Sequence, residues 1–293
     1  MARDTVLPDP TEVADRVWVA RHPWFDANVT VVAGERGVVV VDTHAAEAVG
    51  EQLRDAVRRL APALPLLAVV ATHDHLDHVL GTAPLLDAWP DADVVAHEVT
   101  ADLMATSVPA QVAAYDAPPA LQAAVTGSRL ALPTRTLSGA WALDLGDRLL
   151  EVVHPGRGHT GGDVCVRVPD VDVLVAGDVV EAADDPEAAV PAYGGDSWPL
   201  EWPGSLELVI GLLTPASTVV PGHGPVVDRA FVHAQQAAVA EVAGQVHDVA
   251  AAGVPADRAL AEGRWPYPAH ALAEAVRLGY AHLPPGARRL PMA

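Results

Sequence analysis

Residues 64–78 read LPLLAVVATHDHLDH, an apolar run that stops abruptly at a cluster of histidines and aspartates. The first part is short, β-branched near its end and without a polar position, the pattern of a strand buried on both faces. The second part hangs a polar loop from that strand, where a rigid scaffold can hold side chains in fixed geometry. His73 and His75 are two apart, so an extended backbone points them the same way. Asp77 and His78 are adjacent and must diverge, so one short loop can serve two metal ions. Imidazole suits zinc or iron, and carboxylate completes a borderline-hard site.

Working outward, three further polar clusters each follow an apolar strand: GRGHTGGD (156–163), VAGD (175–178) and VPGHG (220–224). Before the opening stretch, the runs 16–22, 28–34 and 37–44 are short and β-branched, broken by Gly, Asn or Asp, which predicts a meander. Residues 45–61 have helical spacing, with Val49, Leu53, Ala56, Val57 and Leu60 on one face. Beyond the histidine loop the pattern predicts a short helix near 79–88, a strand at 91–98 and helical stretches to about 126. The second half predicts a hairpin over 141–155, strands at 162–170 and 171–178, a helix at 202–213, a strand entering a loop at 218–225, and a long alanine-rich helix at 229–252. Two more helices are expected near 255–262 and 268–283. Two β-rich halves that each finish in helices imply two packed sheets with helices outside. Residues 1–228 are expected to form that unit, and 229–293 a helical extension packed on it.

The composition bounds the function. Of 293 residues 51% are hydrophobic, enough for a large core, while 18 basic against 38 acidic residues give a formal charge of -20. That charge disfavours nucleic acid and anionic membranes as partners and leaves a small-molecule substrate. All the basic residues are arginine, so no lysine can act as a nucleophile or Schiff base. The lone Cys165 excludes an internal disulfide. The N-terminal MARDTVLPDPTE carries no signal-peptide pattern and no run is long enough to span a bilayer, so a cytoplasmic protein, open as to oligomerisation, is expected.

His73-x-His75-x-Asp77-His78, with His159, Asp178 and His223 in order behind it, resembles the metallo-β-lactamase superfamily. The resemblance runs from about Asp42 to His223. It implies an α/β fold, a four-layer αββα sandwich with a C-terminal helical extension. It implies one metal on His73, His75 and His159, a second on Asp77, His78 and His223, and Asp178 bridging them. Two divalent ions, zinc with iron or manganese as alternatives, would activate a bridging water and polarise the substrate oxygen. Asp77 and Asp178 would then be catalytic as well as ligating. Asp42, at the end of VVVVD, matches a family aspartate that orients the histidine loop; a turn or helix-cap role before 45–61 is the alternative.

Within the superfamily, His75 stands where the similar flavo-diiron oxidoreductases carry Glu. Asp178 departs from the Cys or Ser of true class B β-lactamases. Glyoxalase II shares every ligand but grips glutathione with basic residues including lysine, which this chain lacks. The expected reaction is hydrolysis of an ester, thioester or lactone. The alternatives are a mononuclear iron dioxygenase resembling the persulfide dioxygenases, a β-lactamase-like amide hydrolase, or a binding protein that kept the fold. Cys165, inside a strand, reads as a buried small hydrophobe, and Asp163 as a residue that holds the His159 loop. For substrate contact the candidates are Tyr193 and Trp198, in AYGGDSWPLEW (192–202), and His154. Trp24 and Phe25 are expected to flank the pocket from the first hairpin.

Overall fold

The computed structural model describes residues 5–185 and 188–284. One sheet contains, in spatial order, β1 (Thr11–Ala14), β2 (Val17–His22), β3 (Ala27–Ala33), β4 (Val38–Val41), β5 (Leu66–Val70), β6 (Asp93–His97) and β7 (Arg135–Leu137). The strands from β1 to β4 are antiparallel, and those from β4 to β7 parallel. The helices around it are α1 (Glu47–Leu60), α2 (Leu76–Val79), α3 (Ala83–Ala88), α4 (Glu98–Ala114) and α5 (Pro119–Thr126).

The second sheet contains β8 (Ala140–Asp144), β9 (Leu149–Val153), β10 (Cys165–Val168), β11 (Val173–Gly177), β12 (Thr218–Pro221) and β13 (Val227–Asp228), neighbours in that order. Only β11 and β12 run parallel. Helices α6 (Trp202–Gly211), α7 (Arg229–Ala251), α8 (Ala256–Glu262) and α9 (Ala273–His282) complete the chain. No described helix is long and apolar enough to cross a membrane.

β4 shows why the layers form. Its sequence VVVV has no polar position, and all four side chains are buried. Val39 and Val41 face Val152, Val166, Val175 and Val220 of the second sheet. Val38 and Val40 face Leu53 and Val57 of α1. A strand covered on both faces needs apolar residues throughout rather than alternation. The second sheet is covered the same way: Leu174, Ala176 and Val219 pack against Trp202, Leu206 and Val209 of α6 and Val232 and Val239 of α7. The result is the four-layer αββα arrangement. The last helices pack partly on that core and partly on one another, through Val246, Ala259, Val276 and Tyr280.

Three strands were not legible in the sequence, among them the two-residue β13. β1 is largely exposed and β7 has three residues, so neither carries a hydrophobic pattern. The single helix expected near 79–88 is two short ones, α2 and α3. The run 37–44 leaves the strand at Val41, because Asp42 (φ 57°) and His44 (φ 72°) adopt left-handed backbone.

Candidate metal centre

The parallel strands β4 and β5, and β11 and β12, all end at one edge of the sandwich, and the polar clusters sit there. Asp42 follows β4, the histidine loop follows β5, Asp178 follows β11, and Gly222 and His223 follow β12. His159 comes from the connection between β9 and β10. The two sheets are joined at this edge: Asn28 N–H donates to the Gly222 carbonyl at 2.8 Å, and Ala27 bridges to His223.

The structure brings all seven candidate ligands together in two groups, His73, His75, His159 and Asp178, and Asp77, His78 and His223. Within each group the donor atoms lie within 4.8 Å of one another. Asp178 reaches both. Its Oδ2 is 3.6 Å from His73 Nε2, 3.4 Å from His159 Nε2 and 3.1 Å from His223 Nε2. Its Oδ1 is 3.2 Å from His78 Nε2. Two glycines make room for this carboxylate. A Cβ on Gly222 would collide with Asp178 Oδ1, and Gly177 takes φ +55° with Thr72 packed against it.

The outer hydrogen bonds fix the imidazole tautomers. Asp42 Oδ2 accepts from His78 Nδ1–H at 2.8 Å and from the Thr72 hydroxyl at 2.8 Å. Because that hydroxyl donates to Asp42, it accepts from His73 Nδ1 at 3.0 Å. The Phe25 carbonyl accepts from His223 Nδ1–H at 2.7 Å. Asp196 Oδ2 accepts from His75 Nε2–H at 3.0 Å. Each of these four rings spends one N–H outward, leaving the lone pair of its other nitrogen inside. Inside, His159 Nε2 is 3.0 Å from His75 Nδ1, and His78 Nε2 is 3.3 Å from His223 Nε2. His73 Nε2 and Asp178 Oδ1 are buried without a hydrogen-bond partner. Converging lone pairs and orphaned buried acceptors are what a divalent-metal pair satisfies, so the residues fit one.

The protein's own groups show the same demand for positive charge. His75 is moderately buried, which opposes charge, but the Asp196 hydrogen bond pushes it up to about 9. Burial likewise opposes charge on His223, and Asp178 overrides it, raising it to about 10. Burial holds His159 down to about 4, with Asp178 only partly offsetting it. Metal binding would displace such protons.

Asp42 both accepts from His78 Nδ1–H and takes the left-handed backbone of a turn residue (φ 57°). The cap position of α1 is Ala46, so Asp42 does not cap that helix. Cys165 is buried, and burial pushes its thiol up, as fits a small core residue. Asp163 accepts from the backbone and hydroxyl of Thr160 and so holds the His159 loop.

The three expected substrate contacts sit off the lining of the cavity at the centre. A cavity of about 440 Å³ opens on the centre and reaches Ala192 and Gly194, but not Tyr193, Trp198 or His154. Tyr193 turns inward and packs edge-on against Trp202 at 5.1 Å. Trp198 stacks on His282 at 4.5 Å and under Arg157 at 3.8 Å. His154 stacks on His97 at 4.0 Å, with its Nδ1 donating to the Asp163 carbonyl. For Tyr193, burying the ring outweighs exposing it at the mouth, while the half-buried Trp198 and His154 are held by stacking. Phe25 does line the cavity, while Trp24 is buried beside His44.

Sequence reading missed two carboxyl groups. Asp196 lies within the segment 192–202, among aromatic residues that carry the stronger pattern. Glu181 interrupts the apolar run after Asp178, lines the cavity and lies 3.6 Å from His159 Nδ1. Burial and Asp178 push it up to about 8. An acid in an otherwise apolar run was the available signal.

Comparison with known proteins gives a family. A family model described as the metallo-beta-lactamase superfamily matches residues 22–228. The 2,4-dinitroanisole O-demethylase subunit alpha of Nocardioides sp. (strain JS1661) is 30% identical over 171 residues, 57% of this chain and 45% of that protein. Metallo-beta-lactamase type 2 of Bacillus cereus is 27% identical over 203 residues, 69% of each chain. An acyl-coenzyme A thioesterase of Bos taurus is 32% identical over 170 residues, 53% of this chain and 58% of that protein. The chain thus spans about half the length of the first and third. Among solved structures, a metallo-beta-lactamase from Pontibacter korlensis aligns with a TM-score of 0.63 at 23% identity, covering 80% of this chain and 99% of that one, a likeness of fold.

Proposed function

Because this chain belongs to the metallo-β-lactamase superfamily of hydrolases, we propose that it cleaves an ester, thioester or lactone bond of a small molecule, with two divalent metal ions at the edge of its sandwich. The observation that carries this reading is the set of four histidines whose outward N–H groups are all engaged, leaving four lone pairs around Asp178. His73, His75 and His159 would hold one ion, Asp77, His78 and His223 the other, with Asp178 touching both. Zinc suits this donor set, and iron or manganese is accepted by the same ligands. When bound, such ions supply an activated water at neutral pH and Lewis-acid polarisation of the substrate oxygen.

The chain's own residues do the rest. Asp77 lines the cavity and is placed to accept a hydrogen bond from the attacking water, fixing its direction. Asp42, Thr72, Asp196 and the Phe25 carbonyl hold the imidazoles, so little rearrangement accompanies the reaction. No serine, cysteine or lysine nucleophile is required.

The test is elemental analysis of protein purified without added metal, followed by hydrolysis assays on uncharged esters, thioesters and lactones. About two metal ions per chain with turnover supports the reading. One iron per chain with oxygen consumption and no hydrolysis overturns it in favour of the dioxygenase.

A further inference from the structure

The cleft around the centre has two lobes. The larger, about 440 Å³, has a wall of small apolar side chains, Ala182, Ala188, Ala189, Val190 and Ala192. The second, about 340 Å³, is walled by Leu76, Gln111, Ala114 and Tyr115. Phe25, His75 and Asp77 belong to both, so the lobes meet at the candidate centre. A substrate cut there has room for a substituent on each side of its scissile bond.

Neither lobe has an arginine among its lining residues, and the chain has no lysine. Among the described residues, the basic groups lining the cleft are histidines of the candidate ligand set. The cleft instead carries the carboxyl groups of Asp26 and Glu181. Two arginines among the described residues, Arg21 beside Asp26 and Arg157 beside Trp198, are already paired. Arg21 is spent on Asp26 at 2.5–2.7 Å and on Asp184 at 2.8–3.1 Å. Arg157 is held by Glu201 at 2.8 Å and lies against the Trp198 ring. A substrate carboxylate or phosphate seated against these walls, away from the candidate metals, would give up part of its hydration and meet no arginine of the lining in return. The formal charge of -20 adds long-range repulsion of anions.

We infer that the two-lobed cleft selects acyl substrates that are uncharged on both sides of the scissile bond, and discriminates against those built on anionic carriers such as glutathione or coenzyme A. The inference rests on the hydrolase reading above and narrows its substrate class. Discrimination comes from the missing counter-charge in the walls, because the small side chains admit bulk of either kind.

A matched pair tests it: S-hexanoylglutathione and S-ethyl thiohexanoate have the same acyl chain and scissile bond and differ in the charge of the carrier. With the zinc-loaded protein, kcat/KM is expected to favour the uncharged thioester by at least about tenfold. Val190→Arg, which places a cation on the larger lobe's wall, is expected to narrow that gap. Binding is read separately, by NMR titration of the protein with S-hexylglutathione and with ethyl hexyl sulfide, neither of which has a bond to hydrolyse. Equal or better turnover of the glutathione thioester, or tighter binding of S-hexylglutathione, overturns the inference and leaves the hydrolase reading intact. Selective binding of the uncharged sulfide with no turnover of either thioester overturns the hydrolase reading and supports the cleft's selectivity.

Discussion

Asp196 Oδ2 lies 3.0 Å from His75 Nε2, although 121 residues separate them in the chain. This contact turns the His75 ring so that Nδ1, its other nitrogen, faces His159 Nε2. The loop that follows Asp178 thus returns to orient a ligand of the opposite sheet. Asp196→Asn keeps the shape and removes the charge. We expect zinc affinity to fall by roughly 10–100-fold, the usual effect of losing such a partner, with the circular dichroism spectrum unchanged. Chelator competition measures it, and unchanged affinity would show that Asp196 is incidental.

Asp77→Ala and His78→Ala remove ligands rather than their supports. Each should cut hydrolysis by more than the roughly 100-fold upper range for an outer partner, while thermal unfolding stays cooperative. Hydrolysis near the wild-type rate in either variant would sink the two-metal reading.

Gly222→Ala tests the space around the bridging carboxylate. The added methyl would collide with Asp178 Oδ1, and the nearest relief is movement of that side chain or of β12's end. Overpacking of this kind costs about 1–3 kcal/mol. The expected result is a lowered midpoint of unfolding together with loss of bound metal. Full metal occupancy in this variant would mean that Asp178 does not serve both groups.

A buried histidine pair predicts how stability changes with acid. His22 and His44 lie with ring centroids 4.2 Å apart, enclosed by Trp24 and Phe25. Burial, reinforced by His22, holds His44 down to about 3, and burial lowers His22 as well. The unfolded chain takes up these protons near pH 6.5 and the folded one does not, so the contribution is complete above about 6.5 and is lost as pH falls. One such group gives a slope of up to about 1.4 kcal/mol per pH unit below 6. Comparing wild type with His44→Phe by urea titration from pH 6.5 to 5 reads the contribution of the coupled pair, because groups other than His22 titrate alike in both. Parallel pH profiles would show that His44 is not held neutral.

The amino-acid sequence by itself determined the class of fold and, through the family resemblance of its motifs, pointed to the seven candidate ligands. Runs such as VVVV at 38–41 and LLAVV at 66–70 have no polar face and need a layer on each side, while the four-layer sandwich itself is what the family resemblance implied. The spacing of His73, His75, Asp77 and His78 is local, so the residues of one loop reveal its chemistry. Tertiary structure decided what depends on distant segments meeting. Asp196 and Glu181 are ordinary acids until the chain after β11 folds back over the centre. Tyr193 and Trp198 belong to a segment that does approach the cleft, yet the Tyr193 ring turns into the core and the half-buried Trp198 ring stacks between His282 and Arg157. Sequence periodicity reports which face of an element is apolar. It carries no information about which of two available surfaces a loop side chain will pack against, and the three-dimensional arrangement of the layers makes that choice.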